Sequence, residues 1–395
     1  MSTVVHYDIV VIGSGPTGQK AAIQGAKSGK RVAMIEREPG VGGGCVYCGT
    51  IPSKMLRESP LQADRMKRSA TTLDMPIPSN IMVSTLKRRL DEVVISHGDY
   101  MMNQLTRNGV TLFHDRAQFL SDRLIELLTV DGMKQPLTAD TTVIATGSWP
   151  RAPVEIPIDH EHILDSDSIL SMIYLPRSLT VLGGGIIALE YASTFAALGV
   201  EVTIIDRADR PLQFFDAELV LMFVQSFEQT DGRYCGGQAM REVRWDGISQ
   251  VVTTLQDGQL FTSDKMLVAV GRQANVEDLN LSATGLIATE NGTRAVNEHC
   301  QTAIPHIYGG GDLIGPPGLA SSAMEQGRRA VCHALDLPEG HSAEIIPVWV
   351  YTIPEMTSIG LDETAGRKRY REVMIGRANS MKLPEARSRI FAPAY

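Results

Sequence analysis

Two stretches of this 395-residue chain repeat one spacing of small residues between a strand and a helix. In the first stretch, YDIVVIGSGPTG, a strand of buried type is followed by Gly13, Gly15 and Gly18 and then by a helical pattern. This spacing is typical of a βαβ unit that binds a dinucleotide. The first glycine allows the tight turn, the second lets the backbone approach a pyrophosphate, and the third lets helix and strand pack closely. The N-terminus of the helix then attracts the anion.

The next strand of this unit, RVAMIE, ends in Glu36. A carboxylate at the end of the second strand can accept hydrogen bonds from ribose hydroxyls, which is why the dinucleotide fold has an acid there. The strand, the glycine turn, the helix and the terminal acid are all present. Together they predict a dinucleotide site and not merely a glycine-rich turn.

The second stretch, LTVLGGGIIALEYASTFAALGVEVTIID, has Gly183, Gly185 and Ala188 at the three fingerprint positions and Asp206 at the end of its second strand. In both copies the middle glycine precedes a further glycine by 14 residues and the acid by 21. Two complete copies indicate two dinucleotide sites. A redox enzyme that brings two such cofactors together is the simplest explanation.

Composition and charge exclude several other classes of protein. The net charge of -8, without a basic tract, argues against nucleic acid or an anionic membrane as the main partner. No apolar run is long enough to cross a bilayer, and the N-terminus lacks the features of a signal peptide, so a cytoplasmic location is expected. Five scattered cysteines do not indicate an extracellular disulfide framework.

Several motifs together carry a family resemblance: IGSGPTG, GGGCVYCGTIPSK, ATGSWP, DSDSIL, GGGIIALEYAS, GRQAN, IYGGGD and YTIPE. From residue 6 to about 380, the chain resembles the flavin disulfide reductase superfamily, the class I pyridine nucleotide-disulfide oxidoreductases. Within it the chain is most similar to the soluble pyridine nucleotide transhydrogenases. The resemblance implies that the first site holds FAD and the second NAD or NADP. Nicotinamide dinucleotides would be the substrates, with hydride passing between NADPH and NAD+ through the flavin.

The resemblance also implies the fold: α/β, with two Rossmann-like domains of the three-layer ββα kind and the nicotinamide domain inserted in the FAD domain. We expect residues 1–150 and 275–345 to form the FAD-binding domain, 151–274 the nicotinamide-binding domain, and 346–395 a remnant of the dimerisation domain. Family members form homodimers through an interface domain, which here only begins around IIPVWVYTIPEMTSIG. A monomer or a polydisperse aggregate is therefore expected. An alternative function is that of a flavin-binding chain with little turnover, or of a partner subunit.

The resemblance assigns further cofactor contacts outside the two fingerprints. Asp312, in IYGGGD, would contact the ribityl chain of FAD. Other contacts would come from the glycine turns and their neighbours, namely Gly44, Thr146, Gly147, Gly271, Arg272, Gly311 and Ala320.

The segment before IPSK departs from the disulfide reductases. These carry CxxxxC there, and the second cysteine lies against the flavin. Here Cys45 holds the first position and Thr50 the second, which removes the sulfur that would exchange electrons with flavin. The transhydrogenases have the same threonine. Alternatively, Cys45 and Cys48 form a CxxC redox pair, and the protein is a disulfide oxidoreductase similar to dihydrolipoamide dehydrogenase.

Lys54 follows Thr50 by one helical turn, and the resemblance places it beside flavin N5 with Glu190 as its partner. A buried ammonium is costly unless it is paired, and a paired one would place positive potential where reduced flavin accumulates electrons. The alternative is a lysine on a solvated helix face. The expected catalytic residues are therefore Cys45, Thr50, Lys54 and Glu190.

The preference between NAD and NADP depends on the residues that follow the second βαβ unit. Asp206 favours NAD because it would repel a 2'-phosphate, whereas Arg207 and Arg210 could bind that phosphate. A mixed site is what a transhydrogenase requires. Alternatively, the two arginines lie on a solvated turn.

Overall fold

The computed structural model describes residues 4–73, 83–129, 131–287, 296–340 and 345–378, with backbone alone for 63–73 and 83–86. The chain forms two compact units. Unit 1 comprises Met1–Pro52, Leu90–Arg151 and Gly271–Glu344, and unit 2 comprises Ser53–Arg89, Ala152–Val270 and Ile345–Tyr395. The central segment of unit 2 is therefore inserted, in sequence, between two segments of unit 1.

The elements are numbered in chain order. The helices are α1 (Pro16–Lys27), α2 (Gly43–Tyr47), α3 (Thr50–Leu73), α4 (Val83–Arg107), α5 (Ile186–Ala197), α6 (Ala217–Glu228), α7 (Ala320–Ala334) and α8 (Glu363–Arg369). The strands are β1 (Val5–Ile12), β2 (Val32–Ile35), β3 (Thr111–Phe113), β4 (Arg116–Phe119), β5 (Leu124–Leu128), β6 (Lys134–Ile144), β7 (Ser148–Pro150), β8 (Ile163–Asp165), β9 (Ser178–Leu182), β10 (Glu201–Ile205), β11 (Arg233–Cys235), β12 (Met240–Trp245), β13 (Val251–Leu255), β14 (Leu260–Ser263), β15 (Lys265–Val268), β16 (Arg272–Ala274), β17 (Ile307–Gly309), β18 (Val348–Val350) and β19 (Met356–Ser358).

The main sheet of unit 1 has a parallel part and an antiparallel part. The strands β3, β2, β1, β6 and β17 lie side by side and are parallel. The antiparallel pair β4 and β5 joins the first half of β6. The register of β1 against β6 runs from Val5 opposite Leu137 to Ile12 opposite Ile144. The carboxyl ends of β1 and β6 therefore meet at one edge, where the first glycine turn begins.

Alternate residues of β1 face two different layers. Ile9 and Val11 pack with apolar residues of α1, α4 and α7, whereas Val10 and Ile12 pack with residues of β4 and β5. Both faces of the strand are thus covered, which explains its continuous apolar sequence. Unit 1 has helices, a parallel sheet and an antiparallel layer, as the α/β prediction required.

Unit 2 repeats this three-layer arrangement. Its parallel sheet has the order β11, β10, β9, β15 and β8, and a separate antiparallel sheet is formed by β12, β13 and β14. Val181 of β9 packs with α5 and α6, whereas its neighbour Leu182 packs with the antiparallel sheet. The prediction of two Rossmann-like units in one chain is confirmed.

A hairpin from the C-terminal part of the chain belongs to the core of unit 2. The strands β18 and β19 pair with each other, and Val350 and Met356 are buried in the same apolar cluster as Leu189 and Phe195 of α5. The expectation of a dimerisation remnant covers residues 346–395, of which 379–395 lie outside the described residues.

Two of the expected domain boundaries lie close to boundaries between the units. The expected boundaries after residues 150 and 274 lie within four residues of the unit boundaries after 151 and 270. The residues 53–89, expected in the FAD-binding domain, are grouped with unit 2. The described helices include none that is long and apolar enough to span a membrane.

Candidate active site and cofactor sites

The first glycine turn has two glycines fixed by backbone packing and one that faces open space. At Gly13, φ is +102°, and a Cβ would lie 2.4 Å from the carbonyl oxygen of Ala145. At Gly18, a Cβ would lie 1.9 Å from the carbonyl oxygen of Gly13. At Gly15, by contrast, a Cβ would meet no atom of the described residues within 4 Å, its chain neighbours aside. The space before the N-terminus of α1 is therefore open, which fits a bound pyrophosphate.

The carboxylate of Glu36 is held by the turn itself. Its Oε2 accepts hydrogen bonds from the Ser14 amide (2.9 Å) and the Ser14 hydroxyl (2.6 Å), and its Oε1 accepts one from the Glu38 amide (2.9 Å). Glu36 is 6% exposed. Because an ionised carboxylate has about four acceptor positions, three protein donors leave capacity for a ribose hydroxyl. The role of Ser14 was not predicted, although it stands between two fingerprint glycines.

Ser14 also joins the turn to the segment that carries the cysteines. Its hydroxyl accepts a hydrogen bond from the Gly42 amide at 2.9 Å, and a Cβ at Gly43 would lie 3.0 Å from Cα of Gly15. The start of α2 is thus packed against the glycine turn. Gly44, an expected cofactor contact, is exposed in this helix.

The residues around the expected reaction centre lie on α2, α3 and the turn between them. Cys45 is in α2, Cys48 is its C-cap residue, and Thr50 begins α3. Both cysteines are partly exposed and Thr50 is exposed. The catalytic roles of Cys45 and Thr50 stay predictions.

Ser148 connects Arg272 with Asp312. The antiparallel pairing of β7 with β16 sets Ser148 opposite Ala274, and Arg272, two residues earlier in β16, is close enough to bond to it. The Ser148 hydroxyl donates to Asp312 Oδ2 at 2.9 Å and accepts from Arg272 Nε at 2.7 Å, and Arg272 Nη2 donates to the Ser148 carbonyl at 2.6 Å. Two expected cofactor residues, distant in sequence, are therefore close in space. Sequence reasoning missed the serine that joins them.

The loop after β6 is tied to the loop after β16. The Thr146 hydroxyl donates to the Asn275 carbonyl (2.6 Å), and the Asn275 side-chain amide donates to the Thr146 carbonyl (3.0 Å). Gly147 and Gly271 have φ of +68° and +120°, which favours glycine at both positions. Contact of these residues with a cofactor stays a prediction.

Two more expected residues lie near the N-terminus of α7, with Ala320 as its first residue. Gly311 has φ of +74°, and a Cβ there would lie 2.6 Å from the Thr17 hydroxyl of α1. Its amide donates to the Gln326 side chain at 2.8 Å. The close packing of α1 with this segment therefore requires glycine at 311.

The second glycine turn has the same two features as the first: one glycine fixed by backbone packing and one that faces open space. Gly183 has φ of +115°, and a Cβ would lie 2.5 Å from the Ala269 carbonyl oxygen. A Cβ at Gly185, by contrast, would meet no atom within 4 Å in the part of the chain that the structure describes, apart from its chain neighbours. Ala188 is fully buried in α5. The open space at Gly185 fits a second pyrophosphate.

The carboxylate of Asp206 lies beside this turn, and its hydrogen bond is longer than those of Glu36. A Cβ at Gly184 would lie 2.0 Å from Asp206 Oδ2, and the Tyr234 hydroxyl is 3.4 Å from the same oxygen. The Tyr234 hydroxyl also donates to the Ala208 carbonyl at 2.9 Å. Burial, followed by the charge of Asp206, raises the pKa of Tyr234, so the phenol stays protonated. Tyr234 was not predicted from the sequence.

The two arginines after Asp206 have different environments. Arg210 donates from Nη1 to the Phe215 carbonyl (2.9 Å) and from Nη2 to the Gln213 carbonyl (3.0 Å). Arg207 is exposed. Arg210 therefore stabilises the loop at residues 213–215. Of the two arginines, Arg207 is the more exposed. Phosphate binding by either arginine stays a prediction.

Lys54 and Glu190 form the ion pair that the resemblance implied. Nζ of Lys54 is 2.7 Å from Glu190 Oε2, and the two side chains are 28% and 11% exposed. The Tyr351 amide donates to Glu190 Oε1 at 2.8 Å. Both carboxylate oxygens are thus bonded, and the Lys54 side chain is partly buried. The place of Lys54 beside the flavin stays a prediction.

The C-terminal hairpin completes the surroundings of this pair. The ammonium of Lys54 lies 4.6 Å from the centre of the Tyr351 ring, a cation–π contact. Arg57 donates to the Thr352 carbonyl (3.2 Å) and to Glu355 Oε1 (2.7 Å). The sequence offered the motif YTIPE as a landmark alone, without indicating that its tyrosine contacts Lys54.

The model of the family described as pyridine nucleotide-disulphide oxidoreductase matches residues 7–327. The chain belongs to this family. A relative named soluble pyridine nucleotide transhydrogenase, from Mycobacterium bovis, is 39% identical and covers 94% of this chain and 82% of its own. Another of that name, from Ectopseudomonas mendocina, is 35% identical and covers 91% of this chain and 77% of its own.

Solved structures show the same architecture. LpdA from Mycobacterium tuberculosis has a TM-score of 0.86 at 26% identity, covering 93% of this chain and 80% of its own. The HOCl-induced flavoprotein disulfide reductase RclA from Escherichia coli has a TM-score of 0.84 at 22% identity, covering 98% and 84%. The second likeness concerns the fold alone.

Proposed function

We propose that the protein is an NAD(P)+ transhydrogenase of the Si-specific type, which moves hydride between NADPH and NAD+ by way of bound FAD. The observation that carries the proposal is the pair of open glycine turns, at Gly15 and Gly185, in two units of one chain. The names of the relatives that are 35% and 39% identical support the same reaction. FAD, when bound, supplies the flavin ring that accepts hydride from one nicotinamide and returns it to another.

Each unit has residues suited to one dinucleotide. In unit 1 the N-terminus of α1 would hold the FAD pyrophosphate, Glu36 would accept from the ribose, and Asp312 would contact the ribityl chain. In unit 2 the N-terminus of α5 would hold the nicotinamide dinucleotide pyrophosphate, and Asp206 and Arg207 would meet its adenosine ribose. The same second site would serve both nicotinamides in turn.

The Lys54–Glu190 pair is proposed to stabilise charge on the reduced flavin. An ammonium held by a carboxylate at 2.7 Å and by an aromatic face at 4.6 Å is oriented before any ligand binds. A preorganised charge needs little rearrangement when negative charge develops, which is the main advantage of electrostatic catalysis. Tyr351 is a positioning residue in this proposal, since it contacts both members of the pair.

Replacement of Lys54 by Met tests this role. We expect reduction of the bound flavin by NADPH to slow about 100-fold, a loss like that of an oxyanion-hole donor. Anaerobic stopped-flow absorbance of the flavin measures the step. The matched control is Lys134→Met, which removes a lysine of another ion pair, 62% exposed, with Nζ 2.9 Å from Glu126. Equal rates in both variants contradict the role of Lys54.

A disulfide oxidoreductase is the second candidate function, because Cys45 and Cys48 are both partly exposed. The double variant Cys45→Ser/Cys48→Ser separates the two candidates. A transhydrogenase should keep at least about half its NADPH-to-NAD+ transfer, since hydride passes between nicotinamide and flavin without a thiol. A disulfide oxidoreductase should lose reduction of lipoamide or a dithiol reagent almost completely. Loss of the first activity in the double variant, or absence of that activity from the wild type, contradicts the proposed function.

A further inference from the structure

The loop between β18 and β19 is held by side chains of α5. The Tyr351 amide donates to Glu190 Oε1 at 2.8 Å, and the Ile353 amide donates to the Ser193 hydroxyl at 3.1 Å. Glu190 and Ser193 are three residues apart, so they lie on the same face of this helix. The backbone of the loop is therefore fixed at two nearby points, on either side of residue 352.

The carbonyl of residue 352 is bound from the other helix, α3. Arg57 lies one turn after Lys54, and its Nε and Nη2 both donate to the Thr352 carbonyl at 3.2 Å. Nη2 also donates to Glu355 Oε1 at 2.7 Å, and Nη1 is 3.4 Å from Glu58 of the same helix. The Arg57 side chain is 7% exposed. Because a buried guanidinium is costly unless it is paired, these bonds fix Arg57 and the loop to each other.

The second oxygen of Glu355 continues this set of contacts to an aromatic pair. Oε2 accepts a hydrogen bond from Trp349 Nε1 at 2.9 Å. The Trp349 ring stacks on that of Tyr351, with centres 5.6 Å apart and 12° between the planes. The guanidinium carbon of Arg57 lies 5.8 Å from the centre of the same Tyr351 ring. The series Arg57, Glu355 and Trp349 therefore begins and ends on Tyr351.

The position of Tyr351 in turn affects the ammonium of Lys54. The centre of its ring is 4.6 Å from Nζ, and its amide donates to the carboxylate that binds Nζ, that of Glu190. A shift of Tyr351 would therefore disturb both contacts of the ammonium at once. Since a charge is useful in catalysis only when it is held to within about 0.5 Å, the contacts that hold Tyr351 matter for the reaction.

From these contacts we propose that Arg57 and Glu355 are positioning residues for the hydride transfer, which keep the Tyr351 ring against the ammonium of Lys54. The inference rests on the proposed function, because the role of Lys54 beside reduced flavin is part of that function. Neither Arg57 nor Glu355 exchanges a proton or an electron in the step. Both act through Tyr351 on the place of the positive charge.

Glu355→Gln tests the inference with flavin-loaded protein. A glutamine has one carbonyl oxygen and cannot accept from both Arg57 and Trp349 as the carboxylate does. The limiting rate of flavin reduction by NADPH should therefore fall about tenfold, as expected for the loss of a bond to a charged group. The dissociation constant of NADPH should stay at the wild-type value, because the change affects the place of a charge and not the nucleotide site. Anaerobic stopped-flow absorbance at several NADPH concentrations gives both constants.

The matched control removes a carboxylate from another ion pair of unit 2. In Glu218→Gln the side chain lost is 2.6 Å from Arg377 Nε, and 55% of it is exposed. Both constants should equal those of the wild type.

Two further variants separate positioning from general stability. Arg57→Lys keeps the positive charge but loses the fork that reaches Thr352 and Glu355, so it should slow flavin reduction as Glu355→Gln does, with an unchanged circular dichroism spectrum. The double variant Lys54→Met/Glu355→Gln should be no slower than Lys54→Met. If Glu355 acts through Lys54, the two losses do not add, whereas a merely structural loss would add in full.

Three results would overturn the inference: a wild-type rate in Glu355→Gln, full additivity in the double variant, or a fall in NADPH affinity that accounts for the slower reduction. The measured step needs no second nicotinamide. Wild-type protein that reduces its flavin but does not pass hydride to NAD+ contradicts the proposed function, while the same rates still decide the role of Arg57 and Glu355.

Discussion

The two glycine turns have the same residue spacing, but the acid that ends the second strand is held differently in each. In unit 1 the residue between the first two glycines is Ser14, whose amide and hydroxyl both donate to Glu36. In unit 2 the equivalent residue is Gly184, where a Cβ would lie 2.0 Å from Asp206. Asp206 approaches the backbone directly, and its side chain is met by the Tyr234 hydroxyl at a longer 3.4 Å.

This difference shows how one fingerprint serves two kinds of ligand. The first acid is locked by its own turn, which suits a cofactor that stays bound through many reaction cycles. The second acid is less constrained, which suits a site that must release one nicotinamide and accept another. The residues that set this contrast, Ser14 and Tyr234, do not belong to the glycine pattern.

The largest expected effect comes from filling the open space of each turn. Gly15→Val should abolish FAD loading, and Gly185→Val should leave FAD bound but abolish flavin reduction by either nicotinamide. A Cβ at either position meets no atom of the described residues within 4 Å apart from its chain neighbours, so we expect the loss to come from contact with the ligand. The ratio of flavin to protein absorbance and anaerobic bleaching measure the two outcomes.

Glycines fixed by packing provide the control for this pair. Gly18→Ala should destabilise even the unloaded protein by about 3 kcal/mol, because its Cβ would lie 1.9 Å from a carbonyl oxygen. Urea unfolding of flavin-free protein measures it. If Gly15→Val destabilises the unloaded protein as much as Gly18→Ala does, the assignment of open space to a pyrophosphate is wrong.

The next effect concerns NADPH. Arg207→Ala should weaken the binding of NADPH about thirtyfold and change the binding of NADH little. The reason is that a charge-assisted contact to the 2'-phosphate is lost for NADPH alone. Arg210→Ala should affect both nicotinamides equally, because Arg210 donates to the carbonyls of Gln213 and Phe215. Titration of each variant with both nucleotides measures the effect. Equal losses for Arg207→Ala indicate a solvated turn instead.

Asp206→Asn should have a smaller effect in the opposite direction. We expect NADH to bind about tenfold more weakly, because a charged acceptor for the ribose hydroxyls becomes neutral. NADPH binding should be unchanged or stronger, since repulsion of the 2'-phosphate is removed. The corresponding Glu36→Gln variant should lose FAD and leave the ratio of NADH to NADPH affinity unchanged. If Asp206→Asn weakens the binding of NADH and NADPH equally, the proposed difference between the two acids is wrong.

The smallest effect is expected for Ser14→Ala. It removes the 2.6 Å hydrogen bond to Glu36 and the hydrogen bond that the Ser14 hydroxyl accepts from the Gly42 amide, while the amide of residue 14 still donates to Glu36. The expected cost is about 1 kcal/mol, or a fivefold faster loss of FAD on dilution. Flavin fluorescence release measures the rate. Unchanged release shows that the amide alone suffices to hold the acid.

Local patterns predicted the glycine turns because spacing along one strand, turn and helix determines them. The pairing of Lys54 with Glu190 came from the resemblance, and the structure contains it. Ser148, Tyr234 and Tyr351 were missed because their contacts join segments far apart in sequence, where no periodicity exists to detect them.

The Lys54–Glu190–Tyr351 contacts also bear on the order of events during synthesis. Lys54 and Glu190 are 136 residues apart, and a further 161 residues are synthesised before the Tyr351 amide can donate to Glu190. Arg57 and the Thr352 carbonyl are separated by 295 residues. A nascent chain at the ribosome therefore leaves the part of the α5 cluster that Val350 and Met356 cover exposed until these two residues emerge. We expect a translational pause before residue 350 to increase aggregation more than the same pause after residue 358.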